Sequence, residues 1–230
     1  YFSVSCDAGI GIGCFGVGVM HYLGRGVPKD DVRAAQCFRK ACELDSVDAC
    51  VALGGMYMDG RGVPRDEVRA VEMFRSGCGK GAQVGCEALG GAYANGRGVD
   101  RDPAAANELY RAACEAGRAS ACDLLGTSYE FGLSLPADAV RAVALYRKAC
   151  DEGVGVECTD LAWAYDNGVG VAKDGATAAR LYARACDAGS DVACKRLGRP
   201  SAGVRPWHGL VAVSRPSEKA SAPPAPEIVR

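Results

Sequence analysis

Residues 50–78 read CVALGGMYMDGRGVPRDEVRAVEMFRSGC, and the spacing within this stretch decides the fold. Cys50, Leu53, Gly54 and Tyr57 stand at i, i+3, i+4 and i+7, which places them on one face of a helix. Gly60-Arg61-Gly62-Val63-Pro64 cannot prolong that helix, because glycine is conformationally permissive and proline lacks a donor. Asp66 offers a side-chain acceptor where a second helix can start. Ala70, Met73, Phe74, Gly77 and Cys78 then form a second helical stripe. Gly81, three residues after Cys78, occupies the place of a left-handed C-terminal cap. The unit is helix A, loop, helix B, turn.

The unit recurs. With Cys37 set aside, twelve cysteines form six pairs: Cys6 and Cys14, Cys42 and Cys50, Cys78 and Cys86, Cys114 and Cys122, Cys150 and Cys158, Cys186 and Cys194. Members of a pair are eight residues apart and successive pairs are offset by 36. Leu53, Leu89, Leu125, Leu161 and Leu197 keep the same register, as do Tyr57, Tyr93, Tyr129 and Tyr165, with His21 in the first slot. Asp30, Asp66, Asp102, Asp138 and Asp174 form a column of expected N-caps. Phe38, Phe74, Tyr110, Tyr146 and Tyr182 form an aromatic one. In the slot of Gly81 stand Gly9, Gly117, Gly153 and Gly189, with Asp45 as the exception. A fixed period of this length is the mark of a repeat array.

Within one helix an eight-residue step separates two cysteines by roughly 12 Å, whereas a disulfide needs Cα atoms within about 7 Å. The pairs can bond only if the chain reverses between them, and the cap glycine supplies a reversal. Each bridge then ties the end of helix B to the start of the next helix A. Competing readings are twelve reduced thiols packed as small hydrophobes, and zinc. Structural zinc wants closer pairs with further Cys or His nearby, and this chain has two histidines, His21 and His208. Cys37 shares its column with Met73, Leu109, Leu145 and Leu181, so it is read as a buried free thiol in a hydrophobe's place.

The pattern Ala49-Cys50-x2-Leu53-Gly54-x2-Tyr57-x2-Gly60-x-Gly62-Val63-x2-Asp66-x3-Arg69-Ala70-x3-Phe74 resembles the Sel-1-like repeat family, relatives of the tetratricopeptide repeats. The paired cysteines resemble its cysteine-rich secreted branch, known in the helicobacters. The resemblance covers residues 1–198. It implies an all-α, right-handed α/α superhelix of helix-hairpin repeats held by Cys-x7-Cys disulfides. For that branch it also implies penicillin binding or weak β-lactamase activity. Two departures stand out. Gly132-Leu133-Ser134-Leu135 replaces Gly-x-Gly-Val, so that loop is expected to differ, and Ala162 replaces the glycine that follows leucine in the other helices A.

The expected organisation is a partial repeat 1–14, then repeats 15–50, 51–86, 87–122, 123–158 and 159–194, with the array ending at 198. Phe2 aligns with Phe38, so the chain opens midway through a helix B and sequence upstream is expected to be missing. Tyr1 is not Met, and no signal peptide is present in this chain. Residues 199–230 hold six of the ten prolines and read as a disordered tail in which Trp207-His208 is a minor docking candidate. Net charge is −1, which argues against nucleic acid or an anionic membrane as the main partner. No apolar run is long enough to insert in a membrane. Many structural disulfides imply an oxidising compartment, secreted or periplasmic.

The function expected is that of a scaffold that binds a protein or peptide on the concave surface lined by helix A. Three helix A columns vary inside the fixed frame: Val51, Glu87, Asp123, Thr159; Gly55, Gly91, Thr127, Trp163; and Met58, Ala94, Glu130, Asp166. Glu87, Asp123, Thr127, Glu130, Trp163 and Asp166 form the candidate binding face, with Trp163 as anchor. The four carboxylates would make the groove acidic and favour a basic partner. No catalytic residue, metal site or cofactor is expected. The chain lacks Ser-x-x-Lys, Lys-Thr-Gly, Gly-x-Ser-x-Gly and P-loop motifs, and its Gly-x-Gly-Val loops follow helices rather than strands. Hydrolysis of β-lactams is kept as the alternative.

Overall fold

The computed structural model describes residue 6, residues 8–153 and residues 155–200. Nearly all of the expected tail, with Trp207-His208, lies outside these, as does Phe2. Among the described residues there are eleven helices and no strand. Helices A are α1 (Gly11–Leu23), α3 (Val47–Asp59), α5 (Gln83–Asn95), α7 (Ala119–Phe131), α9 (Cys158–Asn167) and α11 (Asp191–Arg196). Helices B are α2 (Asp31–Glu43), α4 (Glu67–Gly79), α6 (Pro103–Glu115), α8 (Ala139–Glu152) and α10 (Gly175–Asp187). Each packs on its neighbours in the chain, giving a superhelix of hairpins.

Every hairpin loop is built the same way. Gly24, Gly60, Gly96, Gly132 and Gly168 end helix A in the left-handed conformation. The N–H of the capping aspartate then returns to the carbonyl of the column residue of helix A, as in Asp66 to Tyr57 at 2.9 Å. That aspartate accepts from the first turn of helix B at Asp30, Asp66, Asp102, Asp138 and Asp174, which satisfies orphan donors. The second loop glycine has a role the sequence did not show. A Cβ on Gly62 would stand 2.0 Å from the carbonyl oxygen of Asp31, and one on Gly98 2.2 Å from that of Glu67. The loop thus lies directly against the start of the preceding helix B.

In the fourth loop Ser134 keeps the left-handed conformation at φ 56°, and Asp138 still bonds back to Tyr129. The different path expected there does not occur. Asn107 Nδ2 donates to the Leu133 carbonyl at 2.6 Å and fixes this loop to α6.

The helices meet closely because one partner is glycine. Added Cβ atoms on Gly18, Gly54, Gly90 and Gly126 would come within 2.5–2.8 Å of the rings of Phe38, Phe74, Tyr110 and Tyr146. At the fifth hairpin Ala162 fills that place and stays buried in one core cluster with Tyr182. The apolar body of each repeat is therefore small, and alanine supplies much of it.

Six disulfides close the joints, with Cα–Cα distances of 4.4–4.7 Å. The cap slot reverses the chain through Gly9, Gly81, Gly117 and Gly189, and through Asp45 at φ 61°. Gly153 is the correction. Its φ of −85° and ψ of 178° are extended, and Gly155 takes the left-handed turn at φ 107°. The Gly153 N–H still reaches the Ala149 carbonyl, so α8 runs on to Glu152. As a result α9 starts only at Cys158, whereas α3 starts three residues before its cysteine. Basic side chains strengthen some joints: Lys40, Lys148 and Arg184 donate to the carbonyls of Cys6, Cys114 and Cys150, the first cysteine of the preceding joint in each case.

Candidate functional site: the helix A surface

The three variable columns of helix A have three different fates. The column Val51, Glu87, Asp123, Thr159 was read as part of an open face, yet Val51, Glu87 and Thr159 are buried. Glu87 belongs to the seam between repeats: its side chain is 4% exposed and faces Arg118, and it also accepts from Ser120 Oγ at 2.7 Å. Two repeats later the same register holds Thr159 and Ser190, whose hydroxyls are 2.9 Å apart. One repeat earlier it holds Val51 and Ala82. Two members of the column are thus matched to the following repeat, Glu87 by an ion pair and Thr159 by a hydroxyl pair, and Glu87 leaves the candidate face for this reason.

In the column Gly55, Gly91, Thr127, Trp163 the side chain grows along the array. Gly55 and Gly91 are buried and Thr127 is partly buried. The Thr127 hydroxyl donates to the Asp123 carbonyl at 3.1 Å. Trp163 is 42% exposed, so a large indole stands on the surface of α9.

In the third column Met58 is buried. Glu130 accepts a hydrogen bond from Tyr146 Oη at 2.6 Å. Asp166 is ion-paired with Arg196 of α11. Asp123 is also engaged within the fold. The expected acidic groove is therefore corrected, since Glu87 and Asp166 are matched by arginines and Glu130 by a phenol. Trp163, Thr127, Glu130 and Asp166 remain on partly or fully exposed helix A positions.

The sequence reading missed Phe131, which is 65% exposed at the end of α7. Its column reads Leu23, Asp59, Asn95, Phe131, Asn167, and an aromatic among mostly polar residues was the available signal. Cys37 is partly buried and free of any disulfide. Burial pushes its thiol up, against the pull of Lys40 and Arg33, so it carries little thiolate near neutrality. Among the described residues no cluster of His, Cys, Asp or Glu could hold a metal ion.

The Sel1 repeat model matches residues 11–46, 47–81, 84–117, 119–154 and 158–190. The chain belongs to the Sel1 repeat family. It is similar to a Sel1 repeat protein from Oxalobacter formigenes, with 29% identity over 83% of this chain and 78% of that one, and a TM-score of 0.72. It is also similar to c5321, a protective antigen of uropathogenic Escherichia coli strains displaying an SLR fold, at 31% identity and a TM-score of 0.65. That match covers 86% of this chain but 42% of c5321. Helicobacter pylori cysteine rich protein B shares 29% identity over 54% of this chain and 90% of its own, with a TM-score of 0.43. No curated protein matches the chain. Sel1 repeats thus account for the array from Gly11 to Ser190.

Proposed function

We propose that this Sel1 repeat chain is a binding scaffold for a protein or peptide, anchored at Trp163 on the helix A surface. The observation that carries the reading is the 42% exposure of Trp163 at a register position where two earlier repeats carry buried glycine, Gly55 and Gly91. An exposed indole on a rigid helix presents a large contact area at low entropic cost. The proposed face also takes in Phe131, at 65% exposure on the preceding helix A, with Thr127, Glu130 and Asp166 as its polar members. Net charge and the pairing of the acids point to a partner recognised by shape and apolar contact rather than by charge. No described helix is long and apolar enough to cross a membrane. Six disulfides support maturation in an oxidising compartment, secreted or periplasmic.

The test uses peptides selected on the wild-type protein and titrated against wild type and Trp163→Ala. Trp163 and Trp207 are the two tryptophans, so a Trp207→Phe background lets the indole fluorescence report Trp163 alone. Expected is a change in Trp163 emission on binding and a loss of about tenfold or more in affinity for Trp163→Ala. Equal binding by both proteins would remove Trp163 as the anchor.

A further inference from the structure

A second surface, away from the variable helix A columns, is built by arginines around the tyrosine column. Arg39, Arg75 and Arg147 of helices B donate to the hydroxyls of Tyr57, Tyr93 and Tyr165 on the following helix A at 3.4, 3.5 and 3.0 Å. Arg111 occupies the same register beside Tyr129 and interacts with its phenol electrostatically. At two of these tyrosines a second arginine arrives from the next helix B. Arg69 lies over the Tyr57 ring at 4.7 Å and Arg141 over the Tyr129 ring at 5.7 Å. Two guanidiniums therefore bracket Tyr57, and two bracket Tyr129.

The brackets differ in their counter-ions. Around Tyr129 the protein supplies its own: Glu108 accepts from Arg111 through both carboxylate oxygens, and Asp138 pairs with Arg141 at 3.1 Å. Around Tyr57 no such side-chain pair forms among the described residues, although Asp66 stands in the register of Asp138 and accepts from the Arg69 N–H. Gln36 holds the register position of Glu108, and Arg69 leans onto the ring. Among the described residues neither Arg39 nor Arg69 has a carboxylate oxygen within the 4.0 Å that defines an ion pair, although both are exposed. Arg75, one repeat along at Tyr93, is equally exposed, and among the described residues it too has no carboxylate oxygen within that distance, although Glu72 holds the register of Glu108.

We propose that the Arg39–Tyr57–Arg69 bracket recognises carboxylate side chains of an acidic peptide segment, with Arg75 taking a neighbouring acid. The Tyr129 bracket shows within the same molecule what these arginines take as partners, namely carboxylates, Glu108 on Arg111 and Asp138 on Arg141. A continuous polyanion fits less well. Exposed Glu43 and Glu72 lie on the same two helices as Arg39 and Arg75 and would meet its phosphates, whereas separate peptide acids can be spaced between them.

Hexaglutamate titrated into the full chain by calorimetry at low and physiological salt tests this. Binding is expected, weakening with salt. Arg39→Gln/Arg69→Gln should reduce affinity by about tenfold, while Arg111→Gln/Arg141→Gln, whose guanidiniums are already paired, should change it by less than about twofold. Arg39→Lys/Arg69→Lys should fall between, retaining charge without the fork, and it serves if the glutamine variant is poorly folded by circular dichroism. Trp163→Ala should bind hexaglutamate normally, which separates this site from the helix A anchor. The proposal is overturned by absence of hexaglutamate binding, by equal loss in the two double variants, or by an oligothymidylate that binds more tightly with the same dependence on Arg39 and Arg69.

Discussion

At the scale of single residues, the seam between repeats is matched chemistry. Glu87 is buried against Arg118, so Glu87→Ala leaves a partly buried guanidinium uncompensated. We expect a loss of about 2–3 kcal/mol in urea unfolding. The double change Glu87→Thr/Arg118→Ser installs the pair found at Thr159 and Ser190 and should recover most of that loss. A double variant as unstable as Glu87→Ala would show that the seam is not modular. The aromatic column makes a second contrast. Tyr110 Oη is buried with no hydrogen-bond partner among the described residues, and burial, with Glu87 nearby, pushes its phenol up. Tyr146 Oη is equally enclosed but donates to Glu130. The difference follows from Gly91 and Ala94 standing where Thr127 and Glu130 stand one repeat later. Tyr110→Phe, matching Phe38 and Phe74, should raise stability by about 1 kcal/mol, and Tyr146→Phe should lower it by about as much. The two thermal unfolding shifts, opposite in sign, are the measurement.

Among the elements, the joint from Cys150 to Cys158 stands apart. Elsewhere helix A begins a turn before its cysteine, so the bridge clamps a formed helix. Here α9 starts at Cys158 itself, and the linker turns at Gly155 instead of the usual slot. The bridge is then the main constraint on where α9 begins. Cys150→Ala/Cys158→Ala should increase amide hydrogen exchange through 153–163 more than Cys78→Ala/Cys86→Ala does through 81–91, though each closes a loop of the same length. In the chain-entropy view the two deletions cost a similar ~2–3 kcal/mol globally, so the exchange pattern is the discriminating readout. Equal local effects would mean that packing around Tyr146 and Tyr182 holds α9 in place.

For the whole molecule, stability is a chain of nearest-neighbour couplings, and several are ionic. Glu67 receives Arg65 and Arg97, and Arg97 also reaches Asp59, so this network spans two repeats. The hydrogen bond from Arg65, with that from Arg97, holds the Glu67 carboxyl below its ordinary range. Thr177 does the same for Asp174 at the start of α10. Because these folded-state values are depressed, their contribution is complete above the unfolded carboxylate range and is lost as pH falls through the folded values. The urea midpoint should hold between pH ~7 and ~5 and decline below about pH 4. Glu67→Gln should flatten that acid limb, and an unchanged slope would mean that other carboxylates dominate it.

The period, the two helices per unit, the aspartate caps and the six joints are legible in residues 50–78 and their register, because each depends on neighbours within one repeat. Columns of small residues beside aromatics likewise announce close helix packing. What the register cannot tell is which part of a helical face the next repeat covers. Glu87 and Trp163 lie on the same side of helix A, yet one is sealed against Arg118 and the other stands in solvent. Partners some 30 residues away make that choice, as they do for Gly62 against Asp31. Sequence periodicity fixes direction around a helix axis, whereas exposure is set by the shape of the neighbouring turn, and only tertiary packing defines that shape.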